Sequence, residues 1–186
     1  MPVVGIDQSK RHTGVCVLRD DGSLLSFRLI EPPAKLANDT HLVFIRKALS
    51  ELLLEVRPAI AVMEGYSFGS LNKKFDLGEV GAVVKLCVHD SNAKLYVCAP
   101  TLLKKFITGR GDADKNDIRT HIHSLYGLDI TDDNLADAYG LAQLGLQIHT
   151  PTTNKRFQID VVRQVVGLTL SKNRSRSKVK ASRSSL

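Results

Sequence analysis

The sequence lacks a long apolar run, a cysteine framework and an internal repeat, and each absence closes off a class of protein. Hydrophobic residues make up 43% of the 186, but they fall in short runs, none near the eighteen or so that a membrane span needs. The opening MPVVGID has no charged-then-apolar signal pattern, so a soluble, cytoplasmic protein with no membrane partner is expected. Cys16, Cys87 and Cys98 are odd in number and carry no CxxC spacing, which argues against a disulfide framework or a zinc knuckle and for buried free thiols. The GID turn at Gly5 to Asp7 has a counterpart in the phosphate loop of actin-like ATPases, but the chain is too short for a second lobe and has no further glycine-rich phosphate motifs. No nucleotide cofactor is therefore expected.

The positive charge is unevenly placed. Six of the 26 Lys and Arg residues lie in residues 171–186, which contain no acid, leaving 20 basic against 19 acidic residues in the body. That tail, SKNRSRSKVKASRSSL, has too few apolar groups to offset chain entropy and is expected to be disordered in isolation. A polyanion is its natural partner, because phosphate contacts add sequence-independent, salt-sensitive affinity.

In the body, VVGID (Val3 to Asp7), TGVCVLRD (Thr13 to Asp20) and SLLSFRLI (Ser23 to Ile30) read as three strands joined by turns. From Asn38 apolar residues recur at helical spacing through Leu42, Ile45, Leu49, Leu52 and Leu53, and the pattern stops before Pro58. AIAVME, ending at Glu64, is apolar on both faces, as in a parallel strand covered by helices. Leu77 to His89 then reads as a helix, Lys94 to Ala99 as a strand, and Pro100 opens a short helix. Residues 115 to 126 form another amphipathic helix, Asp132 or Asp133 caps the helix at Asn134 to His149, and a last helix covers roughly Lys155 to Leu170.

Several acids stand out within this frame. A turn aspartate such as Asp7 is ordinary, but Glu64 ends an apolar strand beside a glycine loop, where a half-buried carboxylate needs a cation or donors. Asp137 sits between Ala136 and Ala138, and small neighbours admit a substrate backbone. Asp112, Asp114 and Asn116 take the first three spacings of a calcium loop, which then fails, with Asp117 at the glycine position and His123 at the glutamate position. His121 and His123 are two apart on a helix and face different ways.

The ordered set of segments resembles the RuvC family of Holliday-junction resolvases. GIDQSKRHTGV (Gly5 to Val15) is similar to that family's first-strand motif, AVMEGY (Ala61 to Tyr66) to its fourth-strand motif, LADA (Leu135 to Ala138) to its final acidic helix, and TLLKKFITGRGDADK (Thr101 to Lys115) to its phosphate-approaching segment. The resemblance implies an α/β, RNase H-like five-stranded mixed sheet of order βββαβαβα flanked by helices, with an extra C-terminal helix and a disordered basic tail. The nuclease unit then covers residues 1–152, the added helix 153–170 and the tail 171–186.

The same resemblance implies a crossover junction endodeoxyribonuclease of recombination and repair, of phage type, acting as a homodimer on branched DNA. Asp7, Glu64 and Asp137 become metal ligands, and Lys104 and Lys115 phosphate-contacting groups. The family pattern has an acid or histidine three residues before the last Asp; here that position is Asn134, and Asp133 is the alternative fourth partner on the same helical face. The implied cofactor is two Mg²⁺ per site, with Mn²⁺ able to substitute. Two ions about 4 Å apart on carboxylates serve both the attacking and the leaving oxygen of a phosphodiester, and Mg²⁺ prefers such hard oxygen ligands. Lys73, Lys74, Lys105 and Arg110 extend the candidate phosphate path, and Tyr66 and Phe68 are candidates to stack on bases. Two alternatives stay open: an RNase H-like nuclease for forks, flaps or RNA-containing substrates, and a junction-binding protein that does not cleave.

Overall fold

The computed structural model describes the backbone of residues 1–65 and 71–183, and side chains over those ranges except residue 38, residues 71–77 and residues 170–183. Five strands form one mixed sheet in the order β3-β2-β1-β4-β5. β1 (Val3–Asp7), β2 (Thr13–Leu18) and β3 (Leu24–Ile30) are joined antiparallel, while β4 (Ile60–Glu64) and β5 (Lys94–Cys98) continue the sheet in parallel from β1. The α/β class, the five-stranded mixed sheet and the βββαβαβα order of elements are those anticipated from the sequence.

Helices cover both faces of the sheet, which explains why β1 and β2 are buried along their whole length. Alternate residues divide between two cores, following the strand pleat. Val4, Ile6, Val15, Val17, Ala61 and Met63 pack with Ile45, Leu49 and Leu53 of α1 (Asn38–Val56) and Val80 and Val84 of α2 (Leu71–Asp90). On the other face, Val3, Cys16, Leu18, Ile60 and Val62 pack against α3 (Pro100–Thr108), α4 (Lys115–Tyr126), α5 (Asp133–His149) and α6 (Arg156–Arg183). Cys16, Cys87 and Cys98 are free and buried. Among the described residues no helix is long and apolar enough to cross a membrane.

The helix ends follow local chemistry. α3 opens on a proline and closes on Gly109 at φ 84°, a left-handed cap that glycine takes without strain. α4 begins with a capping box: Asp114 accepts from the Asp117 amide at 2.8 Å, and Asp117 accepts from the Asp114 amide at 3.2 Å. Asp114, one of the residues that imitate a calcium loop, is thus spent on starting a helix. Asp132, rather than Asp133, caps α5, accepting from the Leu135 amide at 3.0 Å.

Two boundaries differ from expectation. α2 begins at Leu71 instead of Leu77; Gly78 sits inside the helix with open space where a Cβ would be. α6 continues to Arg183, past the expected end near Leu170, so the basic segment has a helical backbone where its composition suggests disorder. No Pro or Gly interrupts residues 171–183, and Lys, Arg and Ala are good helix formers. Residues 184–186 lie outside the described residues.

Two glycines with opposite surroundings test this packing. A Cβ on Gly5 would stand 2.0 Å from the Ala138 carbonyl oxygen, so Gly5→Ala should destabilise by about 1–3 kcal/mol or more through overpacking. Gly78→Ala, in open space on a helix, should instead stabilise by up to about 1 kcal/mol. Urea denaturation of both variants checks the contrast in sign.

Candidate metal centre

The parallel pairing of β1 and β4 brings their C-terminal ends to the same edge of the sheet, so Asp7 and Glu64 meet there without any contribution from the loops. The third acid depends on a close approach. α5 crosses β1 at Gly5, whose missing side chain would collide with the Ala138 oxygen at 2.0 Å and the Ala142 nitrogen at 2.3 Å. At Gly14 on β2, a Cβ would stand 2.4 Å from the Asn134 carbonyl oxygen. Seated against these two glycines, α5 delivers Asp137, next to Ala138, to the level of Asp7.

The turn that follows Asp7 is fixed by its own polar groups. Thr13, fully buried, donates from Oγ1 to the Ser9 carbonyl at 2.8 Å and accepts from the Ser9 amide at 3.3 Å. The His12 amide donates to Ser9 Oγ at 2.9 Å, and the His41 ring ties the Lys10 carbonyl to α1. Gln8, 4% exposed, donates from Nε2 to the Glu64 carbonyl at 3.1 Å, bracing the two strand ends. Its Oε1 is buried and has no hydrogen-bond partner among the described residues.

The electrostatics of the three acids follow from crowding like charges out of water. Asp7 is 7% exposed; burial, then repulsion from Glu64 and Asp137, holds its carboxyl far above the usual range. Glu64 is raised by burial and by Asp137. Burial, with repulsion from Asp133, lifts Asp137 to about 6 against the pull of Lys115 and Lys104. Contact between the two carboxyls raises Asp7 further and works against the rise in Glu64.

Two lysines complete the cluster. The fields of Lys104 on α3 and Lys115 at the start of α4 both reach Glu64 and Asp137, and Lys115 also reaches Asp7. Lys115 Nζ lies 2.8 Å from Asp133 Oδ2, and that hydrogen bond pushes its ammonium above the ordinary lysine range. Arg119 lies 3.1 Å from Asp133 Oδ1 and donates to the Thr131 carbonyl at 3.2 Å.

Asp7, Glu64, Asp137, Lys104 and Lys115, all singled out in the sequence, are therefore brought together. Asn134 is half-buried at the start of α5, its Nδ2 donating to Asp132 Oδ1 at 3.4 Å. Arg110 pairs with Asp117 at 2.8 Å and with Asp112 at 3.8 Å. Lys105 is half-buried near the end of α3. Tyr66 and Phe68 and the side chains of Lys73 and Lys74 lie outside the described residues. Sequence reasoning missed Gln8, Arg119, and Gly5 and Gly14 as seats for α5; the one available signal was a glycine two residues before Asp7, hence on the same strand face.

Among the described residues no three His, Cys, Asp or Glu stand as a ready metal cage. The donor set nonetheless fits a hard divalent cation. It consists of carboxylate oxygens whose ionisation is suppressed for want of positive charge, beside an acceptor, Gln8 Oε1, that still lacks a donor.

A family model described as crossover junction endodeoxyribonuclease RuvC matches residues 3–144. The protein named crossover junction endodeoxyribonuclease RuvC in Carboxydothermus hydrogenoformans is 30% identical over 151 residues, covering 78% of this chain and 95% of its own. Its namesake in Chloroflexus aggregans is 26% identical over 167 residues, 86% of this chain and 99% of its own. Among solved structures, Thermus thermophilus RuvC superposes with a TM-score of 0.70 at 20% identity, over 82% of this chain and 98% of that one. The structure of T. thermophilus RuvC in complex with Holliday junction substrate gives 0.69 at 21% identity, over 76% and 90%.

The raised carboxyls make stability depend on pH in a defined direction. The folded, metal-free protein keeps protons that the unfolded chain releases near pH 4. Their stabilisation is full below that range and is lost as pH rises through the folded values, about 6 for Asp137 and higher for the Asp7–Glu64 pair. Mg²⁺ should therefore raise the Tm clearly more near pH 8 than near pH 5, and Asp7→Asn should abolish the difference. Calorimetric melts in EDTA and in Mg²⁺ measure it; equal shifts at both pH values would contradict the assignment.

Proposed function

The chain belongs to the RuvC family of crossover junction endodeoxyribonucleases, and from that membership we propose that it nicks four-way DNA junctions by metal-dependent phosphodiester hydrolysis. The observation that carries the reading is the convergence of buried Asp7 and half-buried Glu64 and Asp137 with Lys104 and Lys115 at one sheet edge. Asp7, Glu64 and Asp137 hold the divalent ions, two Mg²⁺ per site with Mn²⁺ as a substitute. When bound, the ions supply an activated water and neutralise charge on the attacking and leaving oxygens.

The chain's own groups do the rest. Asp7, Glu64 and Asp137, whose ionisation burial and mutual repulsion suppress, would have to be deprotonated to hold the ions. Lys104 and Lys115 sit close enough to the acids to hold a scissile phosphate against them, and an ammonium acts on phosphate as a point charge. Gln8 keeps the two strand ends at fixed separation through its bond to the Glu64 carbonyl.

Lys73, Lys74, Lys105 and Arg110 are the further candidates for phosphate contacts, and the basic helix beyond Leu170 adds non-specific affinity. Tyr66 and Phe68, which follow Glu64 in the sequence, are the aromatics proposed to stack on unpaired bases. Val43 and Leu54 on α1 and Leu86 on α2 are exposed and offer an apolar face to a second copy of the chain. A two-fold dimer then presents one site to each of two opposed strands.

Cleavage of a labelled four-way junction, beside linear duplex and a fork, tests the proposal. Paired nicks confined to the junction in Mg²⁺ are expected, with none in EDTA. Asp7→Asn should lower the rate by about 100-fold or more, since the lost charge stabilisation amounts to several kcal/mol at tenfold per 1.36 kcal/mol. Equal cutting of every branched form would mean a general debranching nuclease, and binding without nicks in Mg²⁺ would mean a junction-binding protein.

A further inference from the structure

We infer that Asp133 is a positioning residue that parks the Lys115 ammonium outside the carboxylate cluster and so keeps the cluster open to its divalent cation. The inference rests on the nuclease reading above. Asp133 is the first residue of α5, one position after the Asp132 cap, where the positive end of the helix dipole favours a carboxylate. Its two oxygens are divided between two cations: Oδ2 takes Lys115 Nζ at 2.8 Å and Oδ1 faces Arg119 at 3.1 Å. Oδ1 is buried with no aligned hydrogen bond, so the Arg119 charge is what compensates it.

Each member of this network is itself fixed. Lys115 is the first residue of α4, inside the Asp114–Asp117 capping box, and Arg119 lies one helical turn further along α4, anchored to the Thr131 carbonyl. A carboxylate already balanced by a lysine and an arginine is poorly suited to serve as a fourth metal ligand, although its spacing from Asp137 suggests that role.

What the parking prevents follows from Coulomb's law. Lys115 already feels Asp7, Glu64 and Asp137, three acids crowded together and short of positive charge. A flexible lysine stem with no partner of its own would swing its ammonium onto them and compete with the divalent ion for the same oxygens. Held on Asp133, the ammonium stays at the rim, where an incoming phosphate can take it over.

A double-mutant cycle on Mn²⁺ binding, measured by isothermal titration calorimetry on the full chain, tests this without requiring catalysis. Asp133→Asn should weaken Mn²⁺ binding by about tenfold or more, the usual scale for residues that act through a ligand site's surroundings. Lys115→Ala alone should change it by less than about threefold, and the double variant should return to within about threefold of the unmodified protein, a strongly non-additive result. Thermal melts confirm that each variant folds. Lys115→Ala strengthening binding by one factor in both backgrounds would overturn the inference in favour of simple charge addition. Weak binding in both Asp133→Asn backgrounds would overturn it by making Asp133 a ligand. If the unmodified protein bound no Mn²⁺, the nuclease reading would fall together with the inference.

Discussion

The contact on which the rest of the structure depends is the seating of α5 against β1 at Gly5. Backbone meets backbone there with no room for even a methyl group, and that closeness puts Asp137 within electrostatic reach of Asp7 and Glu64. Gly14 repeats the arrangement under the first turn of the helix. The sheet alone supplies two acids; the helix, by coming this near, supplies the third and makes a pair into a site.

Such a cluster works against folding. Three carboxyls removed from water repel one another and are driven toward their protonated forms. The fold tolerates the cost because it is spread among devices already present: the suppressed ionisation of the acids, the fields of Lys104 and Lys115, and the apolar strands behind the site. The same imbalance gives the site its chemistry, since the most effective relief for crowded hard oxygens is a hard cation. Stability and function therefore pull in opposite directions at this edge of the sheet.

Much of this was legible in the sequence because the signals were local. The apolar runs of β1, β2 and β4, the helical spacing of Leu42 to Leu53 and the proline at the head of α3 each announce their element within a few residues. Glu64 could be singled out because an acid ending a buried strand needs a reason. The close approach at Gly5 and Gly14 was not legible, since it joins residues more than a hundred positions apart and glycine serves many purposes. The partnership of Asp133 with Lys115 and Arg119 was hidden for the same reason: helical spacing alone made Asp133 look like a companion of Asp137. The early start of α2 and the long α6 were missed because composition is a poor guide to where a helix ends when no proline or cap marks the place.

The central claim is that Asp7, Glu64 and Asp137 form a single divalent-cation site at the shared end of β1 and β4. Crystals of the full chain soaked in Mn²⁺, with diffraction recorded near the manganese absorption edge, locate such an ion directly. The account requires anomalous density bounded by these three carboxylates. A soaked crystal with no density there, or with density only at Asp112, Asp114 and Asp117, would contradict it.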